Sequence, residues 1–525
     1  MVWDSLNSTE NKRRSCLQMK ITDILKMGHL NYSEPLNQSR NVKGITDNSN
    51  EVRPGYIFIA IKGHKEDGNI YTQQAILNGA ILIIGEDDFT NLTVPYLKVK
   101  NARKTLGQVA KKFYKDPSKN KIMIGITGTN GKTTIGFFIK QLLEKQGYSV
   151  SSIGTIYNEI NGKRIQSVNT TPNAKTINQL LTASTDQVVV MEVSSQGLAQ
   201  NRLEGIQFDY ALFNNLQHDH LDYHGTMEEY FECKALLFEK LKLDGTAIIN
   251  YNDRWGKKLT ERLTAQGKKV ITVGEEPTNQ VQILAKELNN VSVRYKNKEY
   301  NLRTPLPGVH NLENLTMSSC VAHELEVPYE QVTTYMSQFS GIAGRFEIFH
   351  LANKVTVVVD YAHTPDALAT SINTAISNGA KRIITVFGFA GNRDESKRKA
   401  MLENVCRLST YAILTVTELF GSTIDNLYSD YISIQKECQV EEKTSIIMDR
   451  TLAIQKAIWE AQSGDWVLLL GKGHEQYKEN YSLKTKTDQE TVQYLQGQGN
   501  QLSTLKTLIG NEKELINKLQ QGREN

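Results

Sequence analysis

Cysteine is scarce in this chain. There are five in 525 residues (Cys16, Cys233, Cys320, Cys406 and Cys438), scattered and with no CxxC spacing. That argues against a disulfide framework or a zinc site and fits a reducing cytoplasm. Long apolar runs are missing too. "AILIIG", "VVVMEV" and "WVLLLG" are strand length, far short of a membrane span. Arg13 and Arg14 have no apolar segment behind them, so the first twenty residues do not read as a signal peptide. Charge of one sign is not concentrated: the net charge of +4 is spread along the chain without a basic block, which gives no reason to expect nucleic acid or an acidic membrane as partner. No repeat of 20–50 residues and no low-complexity segment is present. Nor is there an NKxD motif of the kind that reads a guanine base, which weighs against a GTPase.

What remains is a folded protein of ordinary composition, 39% hydrophobic and 22% charged, too long for a single core. Short β-rich runs alternate with helical stretches, which predicts α/β layers. Three blocks are expected: 1–118, ended by the polar connector "KKFYKDPSKN"; 119–342; and 343–525, which follows a glycine-flanked turn in "SGIAGRFE". The strands "KVTVVVDY", "RIITVFGF" and "DWVLLLGKG" of the last block each end in a polar loop, where open α/β sheets place ligands. The tail after about residue 495 is polar and helical in period.

The most specific local signal is Ile126–Thr134, "ITGTNGKTT", between an apolar strand and a helical stretch. Gly128 and Gly131 let backbone N–H groups close around phosphate oxygens, and the helix N-terminus adds positive potential. Lys132 would neutralise phosphate charge and Thr133 would offer its hydroxyl to Mg²⁺. The strict motif has glycine six residues before the lysine; here Ile126 stands there and Gly125 precedes it. The loop by itself says only that a nucleoside triphosphate is bound.

Two further segments carry metal-type residues. "VVVMEVSSQG" ends a strand in Glu192, placed either for Mg²⁺ or as an exposed loop acid. "FNNLQHDHLDYHGTMEEY" brings together His218, Asp219, His220, Asp222 and His224, without zinc-ligand spacing. In "EYFECKALLFEKL", helical spacing places Lys234 on one stripe with Phe231 and Phe238. Two readings stand: the side chain snorkels to water, or burial depresses its pKa, and the neutral amine adds CO₂ to become an anionic carbamate.

At this point the sequence resembles the Mur ligases, specifically the MurE type, over about residues 40–495. The resemblance is carried, in order, by "VRPGYIFIAIKG", "GITGTNGKTT", "NTTPNAKT", "MEVSSQGLAQNR", "NNLQHDHLDYHGTMEEYFECKALLF", "LPGVHNLEN", "GIAGRFE", "VDYAHTPDAL", "GFAGNRDESKR" and "GKGHEQY". It implies a three-domain α/β architecture: a UDP-substrate domain, a central P-loop ATPase and a Rossmann-like C-terminal domain for the incoming amino acid. It implies a ligase that uses ATP to add the third amino acid to UDP-N-acetylmuramoyl-L-alanyl-D-glutamate in cytoplasmic peptidoglycan precursor synthesis, as a monomer.

The same resemblance assigns Gly128, Thr129, Asn130, Gly131, Lys132, Thr133, Thr134, Asn311, Asn314, Arg345, Asp360 and His363 to ATP. It assigns Ser49, Thr170, Thr171, Ser194 and Arg202 to the UDP substrate, and Arg393, Gly471 and Glu475 to the amino acid. It places Thr133, Glu192, His220 and a carbamylated Lys234 on two Mg²⁺ ions, with Lys132, Lys234 and His220 catalytic. The chemistry agrees with these roles: a carboxylate is a poor electrophile, phosphorylation by ATP gives it a leaving group, and the charge between two anions needs cations.

The sequence departs from the family pattern at four places. Asn48-Ser49-Asn50 replaces Asp-Ser-Arg, Gln196 replaces a histidine, and Phe389 and Ala390 occupy unusual slots in "GFAGNRD". Most consequential, the Asp-Asn-Pro-Arg motif that grips the distal carboxylate of meso-diaminopimelate is missing from "AILTVTELFGSTID". A buried carboxylate without its arginine would be penalised by several kcal/mol. The expectation is therefore L-lysine, the family's main alternative although its usual motif (Asp-Asn-Pro followed by a non-arginine) is missing too, or another diamino or amino acid, with Glu418 read as a plain surface acid. The competing readings are a paralogue that ligates a different amino acid in a specialised pathway, and a non-catalytic nucleotide-binding regulator. Intact Lys132, Thr133, Glu192, His220, Lys234 and Arg345 argue against the regulator.

Overall fold

Alternating apolar runs and amphipathic stretches do build α/β layers. The computed structural model describes residues 19–497 except 26, 28, 32–39, 64–65 and 90–91. The expectations for Arg13, Arg14, Cys16 and the tail beyond Gly497 lie outside the described residues. The chain forms two compact units: Met1–Gln217 with Tyr223–Ser340, and Gly341–Asn525 with the short segment His218–Asp222.

The first unit contains two large sheets. A five-stranded sheet orders His29–Asn31, Tyr96–Lys98, Ala80–Gly85, Tyr56–Ile59 and Gly44–Thr46, and the last four run parallel. Its covering helix Ala102–Phe113 starts at the Asn101 cap, whose side chain accepts from Lys104 N, and buries Leu106, Val109, Ala110 and Phe113. The second sheet has eleven strands. Its centre is Ile122–Thr127, flanked in parallel by Val188–Glu192 and Phe208–Phe213. These runs are mostly apolar because helices cover both faces of a parallel sheet. Helix Lys132–Gln146 follows the central strand and ends at Gly147, whose positive φ of 103° provides the left-handed stop.

The second unit is built on a six-stranded sheet ordered Glu347–His350, Thr356–Asp360, Trp466–Leu470, Ile383–Phe387, Tyr411–Leu414, Thr444–Ile446. Only the first strand is antiparallel. The loops after Asp360, Phe387, Leu414 and Leu470 therefore leave the same edge. That is where such sheets place a ligand, and where consecutive strands diverge to open a crevice.

Candidate active site

The phosphate loop in the first unit is shaped by the backbone before any side chain acts. Gly131 has φ 86°, and a Cβ there would lie 2.3 Å from Asn214 Nδ2 and 2.6 Å from Asn314 Oδ1. Only glycine fits this turn without strain. Around it, Asn130 N donates to Asn215 Oδ1 at 2.9 Å, and Thr129 N to the Asn215 carbonyl at 3.0 Å. Asn214 Nδ2 donates to Asn314 Oδ1 at 3.1 Å, which ties Asn314 and its hydrogen-bonded neighbour Asn311 to the loop. Lys132 Nζ folds over the loop, donating to the carbonyls of Gly128 and Thr129 at 2.8 Å each.

Thr133 and Glu192 meet: Thr133 Oγ1 donates to Glu192 Oε2 at 2.8 Å, and both residues are buried. Thr155 supplies two more donors to the same carboxylate, its N–H at 3.0 Å and its hydroxyl at 2.8 Å. Gly154 makes the close approach possible, since a Cβ there would sit 2.3 Å from Glu192 Oε1. Glu192 is thus a buried, oriented acid and not an exposed loop residue. A hydroxyl and a carboxylate side by side at a phosphate loop form a hard oxygen donor set of the kind Mg²⁺ takes. Among the described residues no three His, Cys, Asp or Glu side chains group as metal ligands. Any larger ligand set must draw on other residue types.

Lys234 decides between its two readings. It lies on helix Met227–Glu239 with Phe231 and Phe238, and all three are about 1% exposed. The side chain does not snorkel. Its ammonium donates to the Gly128 carbonyl at 2.8 Å and stands 4.6 Å from the centre of the Tyr230 ring. Lys132 and Lys234 thus share one carbonyl acceptor. The burial excludes the snorkelling reading and leaves the carbamate as the reading compatible with a buried side chain.

A second network lies beside Glu192. Thr171 Oγ1 donates to the Glu192 carbonyl at 2.9 Å and accepts from Ser194 N at 2.9 Å. Arg202 Nη1 donates to the Thr171 carbonyl at 2.7 Å, and Thr170 Oγ1 is 3.1 Å from Thr155 Oγ1. Arg202 also lines a cavity of about 330 Å³ with Arg103, Asp47, Asn158, Asn173 and Gln200. Burial, then the neighbouring Arg103, pushes the Arg202 guanidinium below its usual value. Arg103 carried no signal in the sequence that set it apart from other helix arginines. Ser49 is buried in a short 3₁₀ turn, Ser49–Glu51, and its carbonyl accepts from Asn78 Nδ2 at 2.9 Å.

The histidine-rich segment divides. His224 stays in the first unit, buried, with Nε2 2.9 Å from Ser195 Oγ and its ring stacked on Tyr230. Burial and then Lys234 lower its pKa to about 4. His218–Asp222 group with the second unit, and His220 holds a left-handed φ of 55°, a strained conformation for a non-glycine residue. There Asp219 is a hub: Lys397 Nζ lies 2.7 Å from it, His220 Nε2 3.4 Å and His363 Nε2 3.5 Å. Burial alone would raise the Asp219 carboxyl; His363, His220 and Lys397 outweigh it and hold it well below the usual carboxylate range.

Asp360 accepts from Ser371 Oγ and from the N–H groups of Tyr361 (2.8 Å) and Phe346 (3.3 Å). The Arg345 guanidinium lies 4.4 Å over the Tyr361 ring. A cavity of about 190 Å³ opens at the sheet edge of this unit, lined among others by Asp219, Arg393, Glu418, Gly471, Lys472 and Glu475. It is smaller than the pockets that hold drug-sized ligands and suits an amino acid.

Arg393 stacks 4.4 Å over the Phe420 ring and stands 4.0 Å from Asp222. Glu475 Oε1 accepts from Tyr361 OH at 3.0 Å. Glu418 corrects the expectation of a surface acid. It is 8% exposed, lines the cavity and accepts from Lys478 Nζ. The sequence showed only a polar residue after a strand. Its burial comes from loop 388–397, where Gly391 N donates to the Glu418 carbonyl at 2.9 Å, and from Lys478, sixty residues downstream.

Comparison with known proteins bears on the family and the fold. Residues 41–114 match the family described as "Mur ligase family, catalytic domain", 126–322 the "Mur ligase middle domain" and 344–473 the "Mur ligase, glutamate ligase domain". A protein of Aquifex aeolicus named UDP-N-acetylmuramoyl-L-alanyl-D-glutamate–2,6-diaminopimelate ligase is 38% identical over 451 residues, 85% of this chain and 91% of its own. One of the same name from Caldanaerobacter subterraneus is 35% identical over 479 residues, 88% of this chain and 95% of its own. A solved structure under that name superposes with TM-score 0.63 at 26% identity, covering 92% of this chain and 100% of its own. No helix among the described residues is long and apolar enough to cross a membrane. With its three-part α/β architecture and its phosphate loop, the chain belongs to the Mur ligase family of ATP-driven amide-bond ligases, in the MurE type.

Proposed function

We propose that the protein joins a third amino acid to UDP-N-acetylmuramoyl-L-alanyl-D-glutamate in the cytoplasm, and that this amino acid carries a terminal ammonium, with L-lysine the leading candidate over meso-diaminopimelate. The observation that carries the acceptor choice is Glu418, a buried acid at the wall of an amino-acid-sized cavity in a segment that lacks the arginine of the diaminopimelate motif. The Lys478 ammonium on Glu418 occupies the seat a substrate ammonium would take.

In this reading the loop Gly128–Thr134 receives the triphosphate on its N–H groups, and Lys132 turns from the loop carbonyls to the phosphates. Asn311 and Asn314 hold the nucleotide side, and we assign Arg345, Asp360 and His363 to ATP as well. Ser49, Thr170, Thr171, Ser194 and Arg202 hold the UDP substrate, the last with a guanidinium suited to a carboxylate. The glutamyl carboxylate attacks the γ-phosphorus and ADP leaves. The amine of the incoming amino acid then attacks the acyl carbon, and phosphate leaves with the acyl C–O bond broken. Arg393, Gly471 and Glu475 orient that amino acid. Thr133, Glu192, His220 and a carbamylated Lys234 are the proposed ligands of Mg²⁺, which when bound neutralises charge accumulating between carboxylate and phosphate. The burial of Lys234 beside the phosphate loop supports the carbamate.

Phosphate release by pure protein with ATP, Mg²⁺ and UDP-N-acetylmuramoyl-L-alanyl-D-glutamate against a panel of amino acids tests the proposal. Release that depends on L-lysine is expected. No release with any amino acid would refute the ligase reading.

A further inference from the structure

The amino-acid cavity of the second unit contains a cation, Lys472 of the "GKGHEQY" segment, to which the reaction scheme gives no role. Lys472 follows the sheet strand Trp466–Leu470 and lines the cavity beside Gly471, Glu418 and Glu475. It is 1% exposed. Among the described residues, its ammonium has no hydrogen-bond acceptor, and its ion-pair partner Glu475 stands off at 3.8 Å.

The carboxylates around it are engaged elsewhere. Glu475 accepts from the Tyr361 hydroxyl at 3.0 Å, and Glu418 from Lys478. Asp488 is held by Arg450 through two hydrogen bonds of 2.7 and 2.6 Å and by Tyr477 OH at 2.8 Å. Burial pushes the Lys472 ammonium below its usual pKa and Arg450 adds to this, while Glu475, Glu418 and Asp488 oppose it. A buried ammonium without a close acceptor is costly for the empty protein. That cost is relieved when an anion enters the cavity.

We infer that Lys472 receives a carboxylate of the incoming amino acid: the α-carboxylate if the substrate is L-lysine, or the distal one if it is a diamino dicarboxylic acid. The inference rests on the amino-acid-ligase reading and deepens it. Once the substrate ammonium displaces Lys478, Glu418 and Lys472 form a matched pair in the cavity, one for the ammonium and one for the carboxylate. An amino acid whose attacking amine is neutral can fill both without adding net charge. The side chain meets a negative group as a point charge, in contrast to the forked grip of the missing arginine.

Calorimetric binding of L-lysine and of L-lysinamide, which keeps both amines and lacks the carboxylate charge, tests this on the full-length protein. Wild type should bind L-lysine about tenfold to a hundredfold more tightly than the amide, the range for a hydrogen bond to a charged group. In Lys472→Met that preference should shrink to about threefold or less through weaker L-lysine binding, and Lys472→Arg should keep most of it. The unliganded Lys472→Met variant should melt at or above the wild-type temperature, because an unsatisfied buried charge is removed. An unchanged preference in Lys472→Met overturns the proposal. So does a variant of lower Tm that loses both ligands equally, since that marks a structural ion pair with Glu475.

If wild type binds meso-diaminopimelate and not L-lysine, the lysine reading fails while Lys472 is still tested. The two monoamides of that acid replace lysinamide, and the distal one should be the ligand whose penalty vanishes in Lys472→Met. Equal penalties in variant and wild type would again overturn it.

Discussion

The phosphate loop and the cavity of the second unit both lie at the edge of a parallel sheet, yet they are made differently. The loop is a backbone device. Gly131 has a φ of 86°, the N–H groups sit at a helix start, and Lys132 and Thr133 occupy fixed places in consecutive sequence. The cavity is a side-chain device, assembled from loops after four strands and from residues as far apart as Asp219 and Glu475. A backbone device tolerates few sequences and therefore announces itself; a side-chain device can exchange one charged group for another and keep its fold.

Several perturbations would break or sharpen this contrast. The largest effect is expected from Lys132→Ala or Thr133→Ala. Loss of a preorganised group acting on developing charge costs roughly 10²- to 10³-fold in turnover, read as phosphate release at saturating ATP. Lys234→Met should abolish most amide formation while the protein stays folded, since it replaces a buried ammonium by an apolar chain of similar length; wild-type turnover in that variant would rule out the carbamate role. At the cavity, Glu418→Gln should act on binding alone. The KM for L-lysine should rise about tenfold or more with kcat little changed, and an unchanged KM would return Glu418 to a purely structural pair with Lys478.

Gly131→Ala should destabilise the loop by about 1–3 kcal/mol, the range for a strained backbone position, seen as a lower Tm and weaker nucleotide binding. A further effect is on stability against pH. His224 and His474 both have pKa values lowered to about 4 from 6.5, chiefly by burial. Their neutral forms are favoured in the fold, so their contribution is complete above pH 6.5 and is lost as the pH falls towards 4. Tm should drop over that window, and less steeply in His474→Gln.

The same contrast explains what could be read from the sequence. Strand, loop and helix around Gly128–Thr134 were legible because hydrophobic period, glycine and lysine all point the same way. The stripe of Phe231, Lys234 and Phe238 was legible as a face. Its depth was not, because the Gly128 carbonyl that receives the ammonium lies about a hundred residues away. The cluster from His218 to His224 looked like one group in sequence, but the fold sends Asp219 to Lys397 and His363, and His224 to Ser195. Glu418 was misread for the same reason: its burial is decided by Gly391 and Lys478, not by its neighbours in the chain. Lys472 lies inside the quoted "GKGHEQY" segment, but nothing in the sequence showed that its ammonium is buried without a close acceptor.

The central claim is that an unaltered ATP-driven ligase has been given a cavity that selects a terminal ammonium through Glu418. Mass analysis of the product formed from UDP-N-acetylmuramoyl-L-alanyl-D-glutamate, ATP and an equimolar mixture of L-lysine and meso-diaminopimelate tests it most directly. The account predicts a product extended mainly by L-lysine; a product extended mainly by meso-diaminopimelate would contradict it.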